Sequence, residues 1–333
     1  MKIIVTGCHG FIGFNFLNYV LDNYPDDFFI VGIDSLENEC SKENAKRFID
    51  KKNFKFYETD ICNIDNLDID FRSFDAVVNF AAESHVDNSI RSPEKFIHSN
   101  ILGASKVFQN SLQNNIENNI HISTDEIYGS TKDQFFIEDD KMNPSSPYSA
   151  SKASAEMICK SFVKTYGMNI NIFRPANNYG IYQQPEKLIP FSILNLIAGN
   201  NIEIYGEGQN IRHWLHVEDT SRAIFHILNG KHQNEIFNIG SGEYSSNLDL
   251  ANIILDKLKL DNKRLSFIED RPGHDFRYAI DFSKLESTGW KPIFTLEESL
   301  EEIINWYQKN KSWWEVEFHN TLENRNKRFN LSN

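Results

Sequence analysis

The sequence predicts an α/β fold, with a doubly wound parallel sheet followed by a smaller C-terminal domain. Two observations carry this. Short apolar runs at 3–5, 28–33, 54–57, 76–80 and 119–122 read as strands, and between them 11–21 and 97–112 have apolar residues at helical spacing. Strands alternating with helices are joined by crossovers, which gives a parallel sheet covered on both faces.

A further helix at 150–166 and a strand at 170–173 continue the pattern. After about residue 175 it weakens, where Pro175, Pro185, Pro190 and clustered Asn and Gly mark loops. Later helices are expected at 217–228, 248–258 and 296–307. The expected division is a first domain at 1–175, a second mainly at 176–320 with some segments returning to the first, and a polar tail at 321–333. The chain past Trp314 is polar and is expected to fray.

Bulk properties narrow the function. The 333 residues suit one large domain or two unequal ones, and 40% apolar with 24% charged residues is ordinary for a soluble protein. A net charge of −13 argues against nucleic acid as a partner, and a small anionic substrate would need Arg and Lys to converge locally. Cys8, Cys40, Cys62 and Cys159 form no C-x-x-C pair, which predicts free thiols, a reducing compartment and no metal site. The apolar start is broken by Gly7 too soon for a signal peptide, and no stretch approaches the roughly 20 apolar residues of a membrane span. The expectation is a cytoplasmic protein without a membrane partner.

Gly7-Cys8-His9-Gly10-Phe11-Ile12-Gly13 joins the first strand to the first helix. Glycines there let backbone approach a pyrophosphate resting on the helix N-terminus, although three glycines alone also make a plain turn. Asp34 ends the next strand roughly 20 residues on, where an acid accepts hydrogen bonds from ribose hydroxyls and repels the 2′-phosphate of NADP, so NAD is favoured. Asp60 follows the third strand; it suits either the adenine amino group or a capping role.

Tyr148 and Lys152, four residues apart, share a helix face. A neighbouring ammonium favours the phenolate, so Tyr148 is a candidate base for a sugar hydroxyl. Thr124, just past the fifth strand, is a candidate for bonding the same hydroxyl. Asn100 suits a site role or an ordinary polar helix position.

Longer segments go further. Ala81-Ala82-Glu83-Ser84-His85-Val86-Asp87, Ser123-Thr124-Asp125-Glu126-Ile127-Tyr128-Gly129, Tyr148-Ser149-Ala150-Ser151-Lys152, Asn177-Asn178-Tyr179-Gly180 and Asp270-Arg271-Pro272-Gly273-His274-Asp275 resemble the dTDP-glucose 4,6-dehydratase family of the extended short-chain dehydrogenase/reductase superfamily, over about residues 2–314. The glycine loop and Y-x-x-x-K belong to the whole superfamily; Thr-Asp-Glu and R-P-G-H-D are far more specific.

The resemblance implies a Rossmann-like NAD-binding domain, a smaller C-terminal substrate-binding domain, a homodimer and a nucleotide-sugar substrate. It also implies the chemistry: hydride leaves C4 of the glucosyl ring, water is lost across C5–C6, and the hydride returns to C6. Catalytic roles then fall on Thr124, Asp125, Glu126, Tyr148 and Lys152, with Glu126 the base at C5 and Asp125 the acid at the C6 hydroxyl. That acid role demands a protonated Asp125, which burial beside a second carboxylate favours. Cofactor contacts fall on Gly7, Gly10, Phe11, Ile12, Gly13, Asp34, Asp60, Ile61, Phe80, Ala81, Ala82, Ser99, Tyr148, Lys152 and Asn178. Substrate contacts fall on Ser84, Thr124, Asn177, Lys187, Leu188, Tyr205, Arg212, Asn247, Arg271 and His274.

Asn88, Ala176, Ile181, His213 and Phe276 depart from the family's usual residues, as does the stretch 34–38. These leave the chemistry untouched and the nucleotide open among dTDP, UDP and CDP. A 4-epimerase or decarboxylase would keep the Tyr/Lys pair without needing Asp125 and Glu126; a non-catalytic NAD-binding protein would need neither pair.

Overall fold

A computed structural model describes residues 1–270 and 274–326. Its strands are β1 (Lys2–Thr6), β2 (Phe29–Asp34), β3 (Phe54–Glu58), β4 (Ala76–Asn79), β5 (Asn118–Ile122), β6 (Ile170–Pro175), β7 (Asn177–Tyr179), β8 (Ile202–Tyr205), β9 (Ile211–His216), β10 (Ile236–Ile239), β11 (Glu243–Ser246) and β12 (Leu265–Ile268). Its helices are α1 (Phe11–Asn23), α2 (Glu39–Ala45), α3 (Val86–Arg91), α4 (Pro93–Phe96), α5 (Ala104–Gln113), α6 (Pro147–Tyr166), α7 (Leu188–Ile197), α8 (Val217–Leu228), α9 (Asn247–Leu258), α10 (Ser283–Glu286), α11 (Leu296–Lys309) and α12 (Lys311–Asn326).

Seven parallel strands form the main sheet in the order β10-β6-β5-β4-β1-β2-β3. This is the doubly wound Rossmann-like sheet. The chain runs outward from β1 through β2 to β3, then returns to the other side of β1 at β4. That reversal opens a crevice at the carboxyl ends of the strands, where ligands bind in such folds. The strands are buried on both faces, Ile3, Val5, Ile30 and Val78 on one side and Ile4, Val31, Ile33 and Val77 on the other.

The second half is mixed. α8 packs on α1, and β10 completes the main sheet beside β6, so 217–239 sits with the first half. Ile280, Leu285 and Trp290 also pack in the first core, and most of the rest forms a second core, with a three-stranded sheet β11-β9-β7 and a parallel pair β12-β8. Tyr179, Phe191, Trp214, Leu250, Leu300, Tyr307 and Trp314 fill that core. No described helix is long and apolar enough to cross a membrane.

Two expectations need correction. The chain does not fray after Trp314 but continues as α12 to Asn326. Trp314, Phe318 and Leu322 recur at four-residue spacing and face the second core, so an apolar stripe lies hidden in a polar segment. The indole nitrogens are also held, Trp313 Nε1 donating to Asn44 Oδ1 at 2.8 Å and Trp314 Nε1 to Tyr307 O at 2.7 Å. Nor is 97–112 one regular helix: Ile97–Gly103 is a π-helical stretch leading into α5. Its buried Asn100 accepts from Glu83 N at 2.7 Å and donates to Glu83 O at 3.0 Å and Ser151 Oγ at 2.8 Å. Asn100 thus clamps the loop after β4 to α6.

Candidate active site

The carboxyl ends of β1, β4, β5 and β6 open on one cleft of about 810 Å³. Its floor is the loop after β1. Gly7 has φ 65°, and a Cβ there would come 2.5 Å from Ala81 N. A Cβ on Gly13 would lie 2.2 Å from Gly7 O, so only glycine lets α1 start this close to the strand. Asp34 at the end of β2 holds the loop, accepting from His9 N and Leu36 N at 2.9 Å each. A glycine cradle at a helix N-terminus with a carboxylate at the next strand end fits a dinucleotide. His9, within that cradle, is fully buried among Phe14, Phe54 and Phe56, and burial lowers it to about 4.

The opposite wall carries the candidate reactive groups. After β5 the chain enters a short 3₁₀ turn at Asp125–Tyr128, capped by Thr124, whose Oγ1 accepts from Glu126 N at 3.2 Å. The Thr124 hydroxyl donates to Asp125 Oδ1 at 3.4 Å, and Thr124 and Tyr148 line the same cleft. Asp125 is 2% exposed and its Oδ2 has no partner. Burial, then the charge of Glu126, holds its carboxyl well above the usual carboxylate range, against smaller pulls from Arg212 and Thr124. The neighbouring Glu126 lines the same cleft, 3.4 Å from the Tyr278 hydroxyl.

α6 brings Tyr148 and Lys152 to the cleft. Ser146 caps it, accepting from Ser149 N at 3.1 Å, Pro147 occupies its first turn, and both reactive residues follow on one face. The electrostatics differ from the sequence reading, in which the ammonium favours the phenolate. Lys152 Nζ donates to Ile122 O at 2.6 Å, and burial lowers it to about 8. Burial, and next the charge of Glu126, push the Tyr148 phenol above its ordinary value.

Most residues singled out from the sequence line this cleft: Gly7, Gly10, Phe11, Ile12, Gly13, Asp34, Asp60, Ile61, Phe80, Ala81, Ala82, Ser84, Ser99, Thr124, Asp125, Glu126, Tyr148, Lys152, Asn177, Asn178 and Lys187. Asp60 also caps a turn, accepting from Cys62 N at 2.7 Å, and meets His98 Nε2 at 3.0 Å. Lys187 bridges the halves through Ser84 O at 2.9 Å, while Asn177 Oδ1 is buried without a partner. Asn178 is engaged internally, by Ala176 O at 2.9 Å and Thr220 Oγ1 at 2.6 Å.

Five others do not line it: Leu188, Tyr205, Arg212, Asn247 and His274. Leu188 begins α7 and joins the second core, and Asn247 is buried at the start of α9. His274 meets Asp270 at 2.7 Å and lies edge-on to Tyr205, ring centroids 6.2 Å apart. Arg212 stacks over the Tyr278 ring at 4.5 Å and donates to Asp275 O at 3.1 Å, directly behind the acidic pair. Arg271 lies outside the described residues.

The structure adds residues that the sequence did not single out. Tyr278 donates to Asp275 Oδ2 at 2.7 Å and stands between Arg212 and Glu126. Glu83, which the motif quotes but no role absorbed, lines the cleft with its carboxyl raised by burial. Glu317, Thr321, Asn324 and Arg325 of α12 close one side, and the four-residue stripe in that helix was the available signal. Of the departures, His213 is buried and neutral, lowered to about 3 by burial, and its Nε2 accepts from Ser241 N and Gly242 N at 2.9 Å each.

Comparison with known proteins agrees. A family model described as GDP-mannose 4,6 dehydratase matches residues 4–303. The low-salt glycan biosynthesis protein Agl12 of Haloferax volcanii is 40% identical, over 92% of this chain and 98% of its own. A dTDP-glucose 4,6-dehydratase of Streptomyces niveus is 37% identical over 95% of each. The crystal structure of DesIV, a dTDP-glucose 4,6-dehydratase from Streptomyces venezuelae with NAD and TYD bound, superimposes with a TM-score of 0.91 at 37% identity, over 95% of this chain and 100% of that one. With the same sheet, nearly the same length and matches from end to end, the chain belongs to the dTDP-glucose 4,6-dehydratase family, within the broader family that the GDP-mannose 4,6 dehydratase model describes.

Proposed function

We propose that the chain is an NAD-dependent nucleotide-sugar 4,6-dehydratase that converts dTDP-glucose to its 4-keto-6-deoxy product. One observation carries this reading beyond a plain redox enzyme. Asp125 is buried beside Glu126, which raises its carboxyl well above the usual carboxylate range, and it accepts from the Thr124 hydroxyl in the cleft that Tyr148 also lines. Elimination of water needs an acid and a base of opposite protonation state at one site.

NAD supplies a hydride acceptor, later in the same turnover the hydride donor, and in its oxidised form a positive charge. The glycine cradle and Asp34 are its binding residues. A positive charge near Tyr148 opposes the effect of burial and of Glu126, so the phenolate takes the proton of the C4 hydroxyl as the hydride leaves C4. The 4-ketone then acidifies C5. Glu126 removes the C5 proton, and the C6 hydroxyl leaves as water with the proton of Asp125. Glu126, its carboxyl proton exchanged with solvent, protonates C5 as the hydride arrives at C6. Tyr148 has gained one proton and Asp125 has lost one. Thr124, which donates to Asp125 Oδ1 at 3.4 Å and lines the cleft with Tyr148, is the candidate relay that returns it.

The remaining parts of the reading are proposed with it. Residues 1–175 serve mainly the cofactor and 176–320 mainly the nucleotide sugar, with Ser84, Asn177 and Lys187 in the cleft and Arg212, Tyr205, Asn247, Leu188, His274 and Arg271 supporting the sugar-nucleotide side. A homodimer is supported by exposed Ile97, Leu102 and Met157 on the neighbouring π-helical stretch and α6. Four free cysteines suit a reducing, cytoplasmic setting.

The test is a panel of dTDP-, UDP- and CDP-glucose with NAD, followed by mass spectrometry. The dTDP sugar is expected to lose one water at the highest kcat/KM. Absence of a dehydrated product from every nucleotide hexose would refute the reading, and deuterium at C5 of the product in heavy water separates it from a simple 4-epimerase.

A further inference from the structure

Helix α12 lies past residue 303, where the family match ends, and it joins both halves of the molecule. On the cofactor side Trp313 bonds Asn44 and the Cys40 thiol meets Trp313 O at 3.6 Å. On the other side the Phe318 ring lies 6.0 Å from that of Phe191, between centroids. The last described turns, with Thr321, Asn324 and Arg325, then form a wall of the cleft.

Arg325 stands out on this wall. Its side chain is 13% exposed, with the guanidinium 3.6 Å over the Phe191 ring and 5.9 Å from the Tyr205 ring. Glu203 Oε2 lies 3.4 Å from Nη1, yet Nε and Nη1 are both buried without a hydrogen-bond partner. A guanidinium shielded from water with unmet N–H groups carries a desolvation cost that paired acceptor oxygens relieve. Phosphate presents such a pair in the geometry of the guanidinium fork. The cleft carries more carboxyl groups, among them Asp34, Glu37, Glu126 and Glu186, than cations, which besides Arg325 are Arg91, Lys95, Lys152 and Lys187, so each cation counts for an anionic ligand.

We propose that α12 is a strap over the nucleotide-sugar end of the cleft and that Arg325 is a subsite for the diphosphate of the nucleotide. The inference rests on the dehydratase reading for the class of ligand.

Binding of dTDP and of thymidine to the NAD-loaded protein, by NMR titration, tests this with Arg325→Met and Arg325→Lys. Methionine retains the apolar contact with Phe191. It is expected to weaken dTDP about tenfold or more, the scale of a charge-assisted hydrogen bond. Thymidine affinity and the melting midpoint should hold, and lysine should bind dTDP between the two. With dTDP-glucose as substrate, KM should rise and kcat should stay. An Arg325→Met protein that binds dTDP like wild type, or that loses dTDP and thymidine alike, overturns the subsite. If Arg325→Met does not fold, Arg325→Lys decides, since wild-type dTDP affinity there overturns it too. A wild-type protein that binds no dTDP refutes instead the dTDP-glucose reading above.

Discussion

Replacing Asp125 by asparagine tests the division of labour in the acidic pair. The two side chains have nearly the same shape, and the site is 2% exposed, so packing should survive. Asparagine keeps an acceptor for the Thr124 hydroxyl but has no acidic proton for the departing C6 hydroxyl. General acid catalysis contributes about 10²–10⁴-fold, or about 2.7–5.5 kcal/mol at 1.36 kcal/mol per decade. Dehydration should fall by that factor, while hydride transfer from C4 persists. Single-turnover absorbance of reduced cofactor beside quenched-flow mass analysis of the sugar reads the two steps separately. The folded protein carries its own check. Asp125 is raised in the fold, so its stabilising proton is fully present below the unfolded carboxylate value, 3.8, and is lost as pH rises towards the folded value. The variant cannot lose it, so its melting midpoint should gain on wild type as pH climbs from about 4. A variant that dehydrates at the wild-type rate, or whose midpoint falls behind with rising pH, would refute the protonated-acid argument.

The other predictions concern neighbouring links in the same chain. Glu126→Gln should abolish solvent deuterium incorporation at C5 and lower dehydration about 10²–10⁴-fold, read by NMR of the product. Tyr148→Phe should lower the first hydride transfer by a similar factor, with NAD binding retained, as followed by absorbance of the reduced cofactor. Gly13→Ala puts a methyl 2.2 Å from Gly7 O, and calorimetry should find NAD affinity lost or the apoprotein destabilised. Glu156→Gln breaks a fully buried pair in which Arg174 Nη2 meets Glu156 Oε2 at 2.7 Å; urea unfolding should report a loss of about 3–5 kcal/mol.

Much of the site was legible because its signals are local. The glycine loop, the acid at the next strand end and the Tyr148/Lys152 spacing each need only a few consecutive residues, and all of them line the cleft. Signals that depend on what another segment covers were not. Lys152 also donates to Ile122 O, a contact that four-residue spacing does not record. Arg212, which the motifs assign to substrate, also stacks on Tyr278, whose hydroxyl lies 3.4 Å from Glu126. Helix α12 was taken for a fraying tail because Trp314, Phe318 and Leu322, which face the core, are diluted among charged and amide side chains.

By itself, then, the sequence determined the alternating architecture, the cofactor cradle and the presence of two reactive pairs, because backbone turns and helix-face spacing are short-range properties. Tertiary structure decided how those groups behave. Burial raised the Asp125 carboxyl well above its usual range and lowered Lys152 to about 8, the return of β10 closed the sheet beside β6, and α12 walled the cleft. Each of these depends on desolvation by residues far away in the chain, and no local pattern records how much water a neighbour will exclude.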